Sequence, residues 1–134
     1  MKNRTKVILA VPLILIGLLA VSAYLRVWRI RAEEKRIYRA ALPLYSGFLK
    51  PGMQRTEVER ELRQRSISFT QNYAYGEYPR DEFVLLKRID SPVWYCSFED
   101  ITVHLEFDSN SSAAHSPDDP LSGISEYRVL IDCL

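Results

Sequence analysis

The sequence predicts an α+β chain: an N-terminal transmembrane helix followed by a small domain in which helices precede an antiparallel sheet. Three observations carry this. Residues 7 to 25, VILAVPLILIGLLAVSAYL, contain no charge. Residues 50 to 65, KPGMQRTEVERELRQR, read as a turn followed by a short, heavily charged helix. Later runs alternate apolar and polar residues with the period of two that marks half-buried strands. The boundaries that follow are a basic tail over 1–6, the membrane helix over 7–28, a juxtamembrane helix over 29–44 and the α+β domain over 45–134.

As a helix, the uncharged stretch covers roughly 28 Å, close to the hydrocarbon thickness of a bilayer. Pro12 and Gly17 are compatible with this, since both are common in spanning helices. Lys2, Arg4 and Lys6 ahead of Val21-Ser22-Ala23 would also suit a cleaved signal peptide. That alternative would leave a secreted periplasmic inhibitor or ligand-binding protein. The retained anchor is the better reading, because the apolar stretch is long and runs on through Tyr24, Leu25, Val27 and Trp28. Arg26, Trp28, Arg29 and Arg31 are expected at the membrane flank, with the lipid bilayer as a partner.

Charge is segregated. From Ala40 onward the chain has nine Lys/Arg against fifteen Asp/Glu, a net −6, while the remaining positive charge sits around the anchor. An acidic domain repels phosphate backbones, which argues against nucleic acid as a partner. Six Lys/Arg within residues 26 to 39 against three before the anchor would keep the domain cytoplasmic by the positive-inside rule. Against that count, short basic tails ahead of a first apolar segment commonly stay inside, and the expectation adopted is an extracytoplasmic domain.

After the anchor, Ile30, Ile37, Ala41 and Leu44 form one helical stripe, which Pro43 should weaken. Thr56 and Glu59 suit a capping box, and Val58 with Leu62 give a narrow apolar edge suited to lying on a sheet. EFVLLKRI is a strand candidate. WYCSF and ITVHLEFD are expected to be joined by a tight hairpin at Glu99-Asp100, with His104 on the solvent face of its strand. ISEYRVLIDCL places Tyr127, Val129, Ile131 and Cys133 on one face, after a turn-rich loop that contains the sequon Asn110-Ser111-Ser112.

Chemistry is sparse. Two histidines without further ligands at metal-site spacing do not make a metal centre. No nucleophile elbow, P-loop, cofactor motif or metalloprotease helix occurs, so no catalytic, cofactor-binding or metal residue is assigned and the chain is not expected to be an enzyme. Tyr73, Tyr75, Tyr78 and Tyr95 are candidate interface residues, because tyrosine brings contact area with a polar handle. Cys96 and Cys133 each lie on the apolar phase of a strand. As the sole cysteines they are expected to form a disulfide if the domain lies in an oxidising compartment.

The helical lead-in, Gly52-Met53 and Thr56-Glu57-Val58 opening a short helix, then Trp94-Tyr95 and the Val103-Leu105-Phe107 strand, resemble small envelope domains of the SmpA/OmlA (BamE-like) type. Their fold is similar to that of the β-lactamase inhibitor proteins. The resemblance covers roughly residues 45 to 134. It implies a non-enzymatic interaction domain at the bacterial cell envelope, bound to another envelope protein. Such domains usually follow a lipidated cysteine, whereas here LLAVSAYL has none. A transmembrane anchor in the inner membrane would take the place of the lipid.

Overall fold

The computed structural model describes residues 2–71, 80–108 and 115–134, with side chains from Val11 onward. Five elements follow one another: α1 (Lys2–Phe48), α2 (Arg55–Gln64), β1 (Glu82–Asp90), β2 (Cys96–Phe107) and β3 (Leu121–Cys133). The strands form one antiparallel sheet in the order β1-β2-β3. This is the α+β layout read from the sequence.

The segments expected as an anchor over 7–28 and a juxtamembrane helix over 29–44 lie within one uninterrupted 47-residue helix that ends at Phe48. Pro12 and Pro43 both lie inside it. A mid-helix proline costs about 3 kcal/mol. The second half of α1 offsets that cost by burying Tyr38, Tyr45 and, just past its end, Leu49. Each such side chain contributes roughly 1.5–3 kcal/mol. The Ser46 hydroxyl donates to the Leu42 carbonyl at 2.7 Å, in the turn that follows Pro43.

Two clusters make up the core. One joins Tyr45 and Leu49 to Val58 and Leu62 of α2 and to Val84, Val103, Leu105, Phe107 and Leu121 of the sheet. The other joins Tyr38 to Ile89 and Ile101, with Ile30 and Ile37 packed against it. Contacts along α1 therefore track the sheet end to end. Arg31 meets Glu99, Tyr38 donates its hydroxyl hydrogen to the Tyr127 carbonyl at 2.8 Å, and Tyr45 reaches the far cluster.

Two local expectations are corrected. β2 runs straight through Glu99 and Asp100, and the chain reverses at residues 91–95 instead. Both carboxylates stay in the strand because each has a cation. Glu99 faces Arg31 at 3.2 Å and Arg128 at 3.4 Å, and Asp100 takes Arg88 in a bidentate pair at 2.6 and 2.8 Å. The cap of α2 is Gln54 rather than Thr56: the Gln54 N–H donates to Glu57 Oε2 at 3.3 Å, and Thr56 lies exposed within the first turn. Gly52, at φ 88°, makes the turn into α2, donating its N–H to the Leu121 carbonyl at 2.7 Å.

Candidate functional site

The end of the sheet nearest the N-terminal half of α1 gathers the residues that could meet a membrane. Over Val11–Phe48 the helix reaches a mean hydropathy of 1.9, and none of its most apolar window is buried. Among the described residues, one helix is thus long and apolar enough to cross a membrane, by length and composition. Leu13, Ile14, Leu18 and Leu19 point outward all round it, which a helix packed into a soluble core would not show.

Arg26 and Arg29 stand at the end of this stretch and line a groove with Asp90, while Trp28 is exposed. Arg31, expected at the membrane flank, is committed elsewhere. It pairs with Glu34 at 2.7 Å and Glu99 at 3.2 Å, and Arg128 bonds the same two acids. This four-residue network ties α1 to β2 and β3. Glu33 adds an exposed pair with Lys87, which holds the Glu33 carboxyl below its usual range.

At the β1–β2 reversal Tyr95 is half-exposed beside Trp94, their rings edge to face at 5.6 Å. Cys96 and Cys133 are register partners and form a disulfide, with the Leu134 N–H donating to the Tyr95 carbonyl just beyond it. Tyr73, Tyr75, Tyr78 and the sequon at Asn110 lie outside the described residues.

On the opposite sheet face, His104 is buried rather than solvent-facing. Its ring stacks on Phe83 at 4.6 Å, its Nε2 lies 2.7 Å from Asp81 Oδ2, and its Nδ1 is 3.4 Å from Ser125 Oγ. The set borders a cavity of about 460 Å³. A Ser–His–Asp grouping invites a nucleophilic reading, but the wiring is wrong for one. The Ser125 hydroxyl donates to Glu106 Oε1 at 2.6 Å, whereas an activated serine gives its proton to the imidazole. Asp81 also accepts the Phe107 N–H at 3.0 Å, so the cluster braces the end of β2. Among the described residues, no three His, Cys, Asp or Glu side chains are grouped to hold a metal ion.

A second buried charged centre forms around Arg55. Its guanidinium meets Glu82 at 2.8 Å and Asp119 at 3.3 Å and lies 3.9 Å over the Phe107 ring. Burial pushes the Glu82 carboxyl up to about 7, against the opposing pull of Arg55 and with the nearby Glu59 carboxyl raising it further. The sequence held a signal for this. Arg55, Val58 and Leu62 share one helical face at spacings of three and four, so the cation sits in phase with the buried edge.

No family model, curated protein or solved structure matches the chain.

Proposed function

We propose that the chain is a single-pass membrane protein that presents a small, non-enzymatic interaction domain at the bacterial inner membrane, on its extracytoplasmic side. One observation carries the reading. The helix that is apolar and exposed over 11–25 continues without a break into the core, through Arg31, Tyr38 and Tyr45. An anchor joined through a flexible linker would let the domain swing. Here the tether runs into the core as one continuous helix, which would hold the domain at a set height and orientation above the bilayer. The disulfide supports the outer side, because such bonds persist in oxidising compartments. The helix-then-meander order is the layout expected of SmpA/OmlA-type envelope domains, whose role is binding rather than catalysis. The partner suited to this arrangement is another envelope protein reached at that height.

The test is fractionation with intact mass. Expected is a full-length chain that stays in the inner-membrane pellet after alkaline extraction, with a C-terminal reporter active only outside the cytoplasm. A soluble chain beginning near Tyr24 would establish the secreted alternative instead. Photo-crosslinking in living cells from the exposed side of α2, at Arg60, then reads out the protein partner.

A further inference from the structure

The reversal between β1 and β2 leaves an apolar tip that the core does not use. Trp94 is 90% exposed, Leu134 fully so, and Tyr95 and Phe98 are partly open. An exposed tryptophan beside further large apolar side chains marks a contact surface. The tip is also firmly held. The Cys96 N–H donates to the Val93 carbonyl at 3.1 Å, the Val93 N–H to Ser91 Oγ at 3.1 Å, and the Cys96–Cys133 bond fastens β2 to β3 two residues from Trp94.

Its position identifies what it meets. Pro92, Val93, Trp94, Tyr95 and Leu134 line one groove together with Ala23, Arg26 and Val27 of α1. The tip therefore stands level with the point where the uncharged stretch of α1 ends and the arginines begin. Tryptophan and tyrosine concentrate at that depth of a bilayer, where the ring lies among acyl chains and its N–H or O–H reaches the headgroups. Arg26 and Arg29 offer cations to lipid phosphates at the same level, and Asp132, the acid within the groove, shares it with Arg26.

We infer that the Trp94–Tyr95 tip is a second membrane contact, seated in the lipid interface beside α1. It rests on the anchor reading above and adds a second point of contact. A helix alone fixes one axis, whereas a helix and a tip fix the face that the domain turns toward the membrane.

Because the chain has two tryptophans, each can be made the single reporter. The full chain carrying Trp28→Phe is reconstituted in vesicles of phosphatidylcholine and phosphatidylglycerol, with or without lipid brominated near the headgroup end of its acyl chains. Expected is a blue-shifted Trp94 emission that loses most of its intensity to the brominated lipid and resists aqueous acrylamide. Quenching by acrylamide but not by bromine would place the tip in water and overturn the inference. Protection from both would mean that a second copy of the chain covers it, and would overturn it equally. The Trp94→Phe chain, reporting from Trp28, keeps the two readings separable. Bromine quenching of Trp28 without quenching of Trp94 sinks the tip alone, and quenching of Trp94 without Trp28 sinks the anchor. Trp94 is so exposed that its replacement removes no core packing.

Discussion

Arg55 shows how much one side chain can decide. Replacing it with Leu would leave Asp119 and Glu82 buried without their cation, and breaking such a pair costs about 3–5 kcal/mol. Denaturant unfolding of the detergent-solubilised chain checks that value. Glu82 adds a pH dependence whose sign follows from its raised pKa. Between its ordinary value of 4.5 and about 7, the folded chain keeps a proton that the unfolded chain has released. Its contribution to stability is thus complete below 4.5 and is lost as pH rises toward 7. Glu82→Gln should remove that loss, so the variant gains on the parent as pH rises from 4.5 to 7; parallel stability curves would refute the assignment. The i, i+3, i+7 spacing of Arg55, Val58 and Leu62 was legible in the sequence. What hid the centre was the habit of reading charge as solvent-facing, since Glu82 and Asp119 lie far along the chain and only the fold brings them to Arg55.

At the scale of elements, α2 is a lid held by its buried edge more than by its cap. Leu62 is fully buried among Leu49, Val103 and Leu105, and Leu62→Ala should cost about 2–4 kcal/mol. Thr56→Ala should change stability by under about 0.5 kcal/mol, because Thr56 is an exposed first-turn residue and not the cap. Thermal unfolding of the two variants side by side separates an edge-docked helix from a cap-dependent one. The strands were legible because alternation is strong where one sheet face packs on α1 and α2. The true reversal at 91–95 is masked in the sequence because Glu99-Asp100 has the composition of a turn. Sequence order cannot show that Arg31, Arg88 and Arg128 converge on that pair from α1, β1 and β3. The burial of His104 is hidden in the same way: alternation assigns a face, but it does not say what covers that face. Pro43 likewise marked a weak point in local propensity, which the packing of Tyr45 and Leu49 outweighed.

For the molecule as a whole, the disulfide joins stability, compartment and orientation in one measurement. Cys96 and Cys133 close the end of β2 nearest the apolar half of α1 against β3, with 37 residues of separation. In the chain-entropy model a loop of that length stabilises the fold by about 4 kcal/mol. A domain of this size has a small core, so the bond is a large share of what keeps it folded. Reduction should therefore lower the melting temperature by many degrees and free the end of β3 beside Tyr95 first, since only that end depends on the bond for its closure. The core around Leu62 and Val103 lies at the other end of the sheet and should keep its amide protection longest. Hydrogen exchange before and after reduction follows both. The compartment is tested on protein taken unreduced from its native membrane and denatured before thiol labelling. Expected is no labelled cysteine. Two labelled cysteines would mean reduced thiols facing the cytoplasm, with the basic collar of Arg26 and Arg29 on that side in keeping with the positive-inside rule. In that case the domain would still be anchored, but its partners would be cytoplasmic rather than those of the envelope.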